Sequence, residues 1–174
     1  VPGNYGMDFL REELGVDEEL TVKCSNYIGE TIDDAKLLGM KGILLIGHIG
    51  KFVKLAAGVM NTHSRQADCR MEVLAVHAAL AGAETSVVRS IMECINTSEA
   101  LELLKRYGFL EKVMKSVMDR IEFYLTNRAG ETLEIGAVVF SNEEGILGKT
   151  SKADELFDRM NRSVTHREKE TKTL

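Results

Sequence analysis

The sequence of 174 residues has few cysteines, no excess of positive charge and no long hydrophobic run. Its cysteines, Cys24, Cys69 and Cys94, lie far apart and form no Cys-x-x-Cys pair, so neither a disulfide framework nor a zinc ribbon is indicated. The formal net charge of -5 argues against a nucleic-acid partner, which requires a basic face. No apolar stretch approaches the roughly 20 residues that span a bilayer, and no signal peptide is visible. We therefore expect a soluble, cytoplasmic protein with no membrane partner.

Motifs of several enzyme classes are also missing. There is no Walker run and no complete Gly-x-Gly-x-x-Gly, so a nucleotide-binding protein is a weak alternative. His63 and Ser64 are adjacent, but no Gly-x-Ser-x-Gly elbow is present, and a nucleophilic serine needs a base that faces its hydroxyl. His48, His63 and His77 with Cys69 fit no recognised zinc spacing, so we predict no metal site. His77 lies in an alanine-rich helical pattern and is interpreted as structural.

What the sequence does contain is an alternation of strand and helix patterns. A short β-rich segment at 21–24 precedes a helical pattern at 27–38, which is followed by an apolar strand at 43–46. The inward-facing residues of the helix are predicted to be Ile28, Ile32, Ala35 and Leu38. A β-α-β order predicts a parallel sheet with right-handed crossovers, provided that residues upstream of Val1 supply a first strand.

Helical patterns dominate the centre of the chain. They cover roughly 50–60, 67–80, 85–95 and 98–107, the last running on through 110–125. Apolar residues at three- and four-residue steps predict one buried face, formed by Leu110, Val113, Met114, Val117, Ile121, Tyr124 and Leu125. A strand at 133–140 and a helix from Ser151 to about Met160 follow. We predict one α/β domain over residues 1–161, a mostly parallel sheet flanked by helices with a helix-rich central insertion, and a polar, mobile tail over 162–174.

The first candidate site is a glycine-containing turn near the start of the chain. It consists of Gly3, Asn4, Tyr5 and Gly6, ahead of a helical pattern. Free backbone N–H groups at such a position attract an anion, although spacing alone favours a tight turn that only closes a strand onto a helix. Asn26 lies twenty positions later, where dinucleotide folds place an acidic residue on the ribose hydroxyls, and an amide could do the same.

The second candidate site directly follows the most apolar strand. It consists of Gly47, His48, Gly50, Lys51 and Lys54. Sites in open α/β sheets form at the carboxyl ends of strands, and glycines there allow close backbone approach. The two lysines could hold carboxylates or form a solvated helix face. His48 could shuttle a proton or be held in the loop by a backbone hydrogen bond.

The third candidate site is a polar run that precedes a helix. It consists of Asn61, Thr62, His63, Ser64 and Arg65, with Asp68 and Arg70 close behind. Helix capping by Thr62 or Ser64 explains part of this polarity.

Together these motifs resemble one family. They are Gly-Asn-Tyr-Gly at 3–6, Ser-Asn-Tyr-Ile-Gly-Glu at 25–30, Gly-Ile-Leu-Leu-Ile-Gly-His-Ile-Gly-Lys at 42–51 with Lys-Leu-Ala at 54–56, and Asn-Thr-His-Ser-Arg at 61–65 with Ala67, Asp68 and Arg70. In this order they are similar to the cobalt-precorrin-5B (C-1)-methyltransferases of anaerobic cobalamin (vitamin B12) biosynthesis. The resemblance is dense as far as about Gly82 and weaker from there to about Met160.

The resemblance implies transfer of a methyl group from S-adenosylmethionine to carbon 1 of cobalt-precorrin-5B, a cobalt-containing tetrapyrrole, to give cobalt-precorrin-6A. It also implies that the chain is the Rossmann-like, carboxyl-terminal portion of a cytoplasmic enzyme whose upstream domain is missing. That upstream domain would be a partner of this chain, and activity of the fragment alone is left open. The alternative is a non-catalytic anion-binding or assembly module of the same fold.

The resemblance also suggests roles for the candidate residues. The cofactor is expected to contact Gly3, Asn4, Tyr5, Gly6, Asn26, Gly47 and Gly50. The carboxylates of the tetrapyrrole are expected to contact Lys51, Lys54, Asn61, Thr62, Ser64, Arg65 and Arg70. His48 and His63 are the candidate catalytic bases. If the first strand is missing, an unpaired sheet edge could recruit a second chain, so a homo-oligomer is a further alternative.

Overall fold

A small mixed sheet lies at the centre of the computed structural model, which describes residues 1, 2, 7, 10, 11 and 21–171 and side chains as far as residue 162. Its strands, in spatial order, are β1 (Gly42–His48), β2 (Glu134–Ser141) and β3 (Gly145–Lys149). β1 and β2 are parallel, with Gly42 opposite Glu134 and His48 opposite Phe140. β2 and β3 are antiparallel. The sheet thus holds one parallel and one antiparallel pair within the described residues, and the mostly parallel arrangement stays a prediction.

Helices connect and cover these strands. They are α1 (Ile28–Leu37), α2 (Ile49–Phe52), a 3₁₀ helix (Val53–Ala57), α3 (Arg70–Leu80), α4 (Thr85–Met92), α5 (Thr97–Arg106), α6 (Leu110–Ala129) and α7 (Ala153–Thr171). The helical patterns of the sequence therefore correspond to real helices. The structure nevertheless ends the 50–60 helix early, at a left-handed Gly58 with φ of +77°, and it separates α5 from α6 at Gly108, whose φ is +74°. None of the helices that the structure describes combines the length and apolar character that a membrane span needs.

Both faces of the sheet are covered. On one face, Ile43 and Leu45 of β1 join the main core, to which α1, α3 and α6 also contribute. On the other face, Leu44 and Ile46 join a smaller cluster with Ala153 of α7. Successive residues of a strand point to opposite faces, so the unbroken apolar run in β1 is what a strand covered on both sides requires.

Helix α6 supplies the largest apolar face of the core. The buried members of its predicted stripe are Val113, Met114, Val117, Ile121 and Leu125. The prediction is confirmed for these five residues, whereas Leu110 and Tyr124 are only half-buried. His77 of α3 is also buried, and its Nδ1 lies 2.7 Å from Ser116 Oγ on α6, which confirms the structural interpretation of this histidine.

Three features differ from the sequence predictions. Leu38, predicted to face inward, is 77% exposed, because it lies beside a cleft at the edge of β1. Strand β3 was not predicted, since its sequence contains two glycines. Gly148 is needed there, because a Cβ atom at this position would lie 2.5 Å from Met118 Cγ. Helix α7 runs on to Thr171 rather than ending near Met160.

Residues 21–24 form no assigned strand, but their backbone is engaged. The amino-terminal ammonium of Val1 donates to the carbonyl of Val22 at 2.8 Å, and the amide of Cys24 donates to the carbonyl of Val1 at 3.1 Å. The β-rich character predicted for this segment is thus expressed as strand-like pairing with residue 1.

Candidate ligand site at the carboxyl end of strand β1

Three segments of the chain meet beyond the carboxyl end of β1. They are the turn at 24–27, the stretch from His48 through the 3₁₀ helix, and the loop at 61–69. Asn61 forms a β-bridge with Tyr27, and the amide of Thr62 donates to the carbonyl of Asn26 at 2.9 Å. The structure therefore brings Asn26 and the second and third candidate clusters together, whereas Gly3, Asn4, Tyr5 and Gly6 lie outside the described residues.

Lys54 supports the loop of this site from the protein interior. Its side chain is buried, and its Nζ donates to the carbonyls of Thr62 and Ala67 at 3.0 Å each. These carbonyls belong to a loop without regular structure, so a side chain must satisfy them. Lys54 thus has a structural role that shapes the loop, and its ammonium is directed inward rather than toward a ligand.

Arg70 is also engaged within the protein. Its Nε and Nη2 donate to the two carboxylate oxygens of Asp68 at 2.7 and 2.8 Å. This bidentate hydrogen bond lowers the pKa of Asp68 and raises that of Arg70. A ligand carboxylate would have to displace Asp68 to use this fork, so Arg70 is poorly placed for the substrate contact that the sequence suggested.

Lys51 and Arg65 differ from these two cations. Neither side chain makes a hydrogen bond or ion pair with any residue in the described part of the chain. Lys51 is half-buried, and burial is the main cause that lowers its pKa, with a further contribution from the nearby charge of Lys54. Arg65 is exposed on the loop. A partly desolvated ammonium without a counter-charge is favoured by an anion, so Lys51 is the best-placed anion ligand of the site.

The two candidate catalytic histidines act as local caps. His48 precedes α2, and its Nδ1 accepts a hydrogen bond from the amide of Gly50 at 3.1 Å. His63 does the same in its loop, where Nδ1 accepts from the amide of Arg65 at 3.1 Å. In both neutral rings the proton must then be on Nε2. The lone pair that a general base needs is therefore already used by the backbone.

The environment of His48 keeps the ring neutral. Burial lowers its pKa, an effect that the carboxylate of Glu143 partly opposes. The ring also meets Phe140 edge to face, with centroids 5.6 Å apart. A neutral His48 at physiological pH is consistent with its capping role.

The glycines beside His48 have packing reasons. A Cβ atom on Gly47 would overlap the ring of Phe52, and one on Gly50 would lie 3.3 Å from His48 Nδ1. The amide of Gly50 is already used by His48. Local packing is thus sufficient to explain both glycines, and their predicted contact with a cofactor stays a prediction.

The sequence did not reveal the conformation of Ser25, which lies at the edge of the site. Its φ of 52° is in the left-handed region, where non-glycine residues are uncommon, and it sits in a turn closed by the amide of Tyr27 and the carbonyl of Cys24 at 3.0 Å. This turn directs Asn26 toward Thr62, whose Oγ1 donates to Asn26 Oδ1 at 3.3 Å. The Ser25-Asn26 pair is the feature of the sequence that could have predicted this turn, because both residues favour turns.

The remaining polar residues shape the loop. Asn61 Oδ1 accepts a hydrogen bond from the amide of His63 at 3.1 Å, and the side chain of Ser64 is exposed. Among the described residues, no three His, Cys, Asp or Glu side chains are grouped so that they could hold a metal ion. The site thus combines a half-buried cation, a turn with a side-chain amide and a polar loop beyond the carboxyl end of a parallel strand, which is where α/β proteins with open sheets place their ligand sites.

Comparison with known proteins identifies the family within this class. Residues 61–151, just over half of the chain, match the family model described as CbiD, C-terminal domain. The chain belongs to this family. The resemblance that the sequence motifs indicated is therefore confirmed.

Curated relatives extend the match to most of the chain. A cobalt-precorrin-5B C(1)-methyltransferase of Ruminiclostridium cellulolyticum is 47% identical over 141 residues, which cover 81% of this chain and 37% of the relative. Proteins with the same name from Clostridioides difficile and Citrobacter koseri are 38% and 37% identical and match 91% and 92% of this chain. The chain spans 39% and 43% of their lengths. No solved structure was found to match.

Proposed function

We propose that this chain forms the carboxyl-terminal part of an enzyme that methylates carbon 1 of cobalt-precorrin-5B, giving cobalt-precorrin-6A in anaerobic cobalamin biosynthesis. The main support is the similarity to relatives that carry this activity in their names. Because the chain spans less than half of their length, the remainder of a longer chain would be its partner in catalysis.

The chemistry makes modest demands on the protein. Methyl transfer from a sulfonium is an in-line displacement, in which the enzyme mainly positions donor and acceptor and excludes water, effects that together are worth about 7–11 kcal/mol. No protein nucleophile is required. The capped histidines fit this view, since neither His48 nor His63 offers a lone pair to the substrate in its neutral form.

S-adenosylmethionine would supply the methyl group when bound. Asn26 is the best candidate in this chain to hold it, because the carbonyl oxygen of its side chain is occupied by Thr62. The amide nitrogen makes no hydrogen bond with a described residue and remains able to donate to a ribose hydroxyl. The turn at Ser25 fixes this orientation.

The substrate's acetate and propionate arms would meet the cations of the site. Lys51 and Arg65 would contact them directly, and Lys54 would hold the loop that carries Arg65. The four cations of the site are therefore not equivalent, because Lys54 and Arg70 already have partners within the protein.

The anion-binding role can be tested in a full-length enzyme that contains this chain. Replacing Lys51 and Arg65 by alanine should weaken tetrapyrrole binding about tenfold or more, since a charge-assisted hydrogen bond contributes roughly 1.5–3 kcal/mol. The matched control replaces Lys112 and Arg89, two exposed cations on α6 and α4, and should leave binding unchanged. Unaltered affinity and turnover in the Lys51→Ala/Arg65→Ala enzyme would rule out the proposed anion site.

The location of the cofactor site needs a separate measurement. Calorimetry with S-adenosylhomocysteine on this chain and on the full-length enzyme shows whether the site is contained here, shared or absent. Asn26→Ala should weaken binding wherever it is observed. Failure of the full-length protein to bind the ligand would favour a non-catalytic anion-binding or assembly module.

A further inference from the structure

A cleft of about 670 Å³ runs along the edge of β1 that does not face β2. The cleft is lined by β1 from Gly42 to Ile46 and by the segment from Thr21 to Cys24. Ala35 of α1, Leu38 directly after this helix and Met160 of α7 also line the cleft. Within the described residues no strand pairs with this edge, so the backbone of β1 ends the sheet here.

The hydrogen bonds of Val1 indicate the direction in which a strand would run in the cleft. Val1 donates to the carbonyl of Val22 and accepts from the amide of Cys24, so it is bonded to both neighbours of Lys23. This is the hydrogen-bond pattern of two parallel strands. The side chain of Val1 is buried with Ile46, near the carboxyl end of β1. A strand that ended at Val1 would therefore run parallel to residues 21–24 and alongside β1.

Large apolar side chains on the rim of the cleft are left in solvent. Val22 is 76% exposed and Leu38 is 77% exposed, and both line the cleft. Met40, a third lining residue, is also exposed. An apolar cleft beside an unpaired strand edge is a surface that proteins normally cover, because it promotes association.

We propose that this cleft receives an extended segment of about five residues, which pairs in parallel with β1 and with residues 21–24 and comes from the polypeptide that precedes residue 1 in longer members of the family. The matched family model describes a C-terminal domain, and the relatives extend well beyond the matched part. Val1 lines the cleft itself, so a preceding segment would be tethered at its entrance and reach a high effective concentration.

The lining also specifies the chemistry of the segment. One face of the inserted strand would meet Ala35 of α1 and Leu38 just after it, while the other would meet Met160 of α7. A strand covered by apolar groups on both faces needs a continuous aliphatic run rather than an alternating one. The inferred occupant is accordingly a short run of valine, isoleucine, leucine or alanine without proline, since proline cannot complete the hydrogen-bond ladder.

Insertion would also explain why the candidate ligand site lies where it does. The strand order would become residues 21–24, the inserted strand, β1 and β2, and the chain would leave the inserted strand and β1 in opposite directions. Ligands in open α/β sheets bind at such a switch point, beyond the carboxyl ends of the two strands. Lys51 lies next to this position. The inference itself does not depend on methyl-transfer chemistry.

The test compares this chain with a version extended by roughly ten residues, taken from the polypeptide that precedes this domain in a longer member of the family. Hydrogen exchange followed by mass spectrometry or NMR should show amides of residues 42–46 and 21–24 exchanging at least about tenfold more slowly in the extended chain. Replacing the centre of the added segment by proline should abolish this protection.

A matched pair of substitutions in the extended chain locates the contact. Leu38→Lys, in the cleft, should reduce the protection of residues 42–46, whereas Leu37→Lys, which is 85% exposed and does not line the cleft, should not. Unchanged exchange on extension, or equal effects of the two substitutions, would overturn the proposal. If sedimentation showed self-association and the exchange protection rose with protein concentration, the cleft would be assigned to a second copy of the chain. That result would also overturn the proposal.

Discussion

Replacing Lys54 by methionine separates the structural cation of the site from the ligand-binding one. Methionine keeps most of the aliphatic volume of lysine, so the change removes the ammonium and little packing. Its two hydrogen bonds, to the carbonyls of Thr62 and Ala67 at 3.0 Å each, would be lost. The free energy of unfolding should fall for this reason alone.

The magnitude follows from the environment of the two carbonyls. Each buried polar group left without a partner costs about 1–3 kcal/mol, and release of the buried ammonium from a desolvated position returns part of that cost. Thr62 is 2% exposed, so water cannot readily replace the lost donor there, whereas Ala67 is half-buried and can be rehydrated. We therefore expect a loss of about 2–3 kcal/mol, which corresponds to a decrease in Tm of roughly 4–12 °C for a chain of this length.

Urea unfolding under reducing conditions, followed by circular dichroism, measures this loss directly. Hydrogen exchange should also become faster in the loop at 61–69, because the loop depends on Lys54. Lys51→Met is the matched control: Lys51 has no partner in the described part of the chain, so the free energy of unfolding should change by no more than about 0.5 kcal/mol. A Lys54→Met protein as stable as the control, with an unchanged loop, would refute the structural role of this lysine.

Two further predictions concern packing and pH. Gly47→Ala should destabilise the protein by about 1–3 kcal/mol in denaturant unfolding, because its Cβ would overlap Phe52. Gly50→Ala should destabilise it clearly less, because the nearest atom to a Cβ there is 3.3 Å away. Equal losses of stability in the two variants would contradict the packing explanation. Burial lowers the pKa of both His48 and His77, so the unfolded chain binds more protons below about pH 6.5 and the stability present at neutral pH should decline toward pH 5. Urea midpoints of His77→Gln at these two pH values should show a weaker decline, and an unchanged decline would exclude His77 as a contributor.

The helices were predictable because their signal is local. The apolar spacing in α1 and α6 reflects which residues enter the core, and each such pattern corresponds to a helix. Helix ends were harder, because single glycines decide them: Gly58 stops the 3₁₀ helix and Gly108 separates α5 from α6. Strand β3 was missed because its two glycines lower the strand signal, while its packing against Met118 is a tertiary contact.

The candidate site was predictable in position but not in the role of each residue. The apolar strand pattern predicted that His48 and Lys51 follow the carboxyl end of a strand, and the structure places them at the end of β1 and in the helix after it. Their role in binding a ligand stays a prediction. Sequence spacing could not show that Lys54 turns inward, because that depends on the change from α2 to a 3₁₀ helix. A backbone hydrogen bond was only one of two alternatives for His48 and was not predicted for His63, since both bonds depend on loop conformation.

The inward direction of Lys54 also affects how mutagenesis data from this family should be interpreted. Alanine at this position would remove the two hydrogen bonds that hold the loop at 61–69, so its effect would reach Arg65 and its neighbours. A mutagenesis survey that measured only activity would not distinguish Lys54 from residues that contact a ligand directly. Activity and loop order must be measured on the same samples to distinguish a collapsed scaffold from a lost contact.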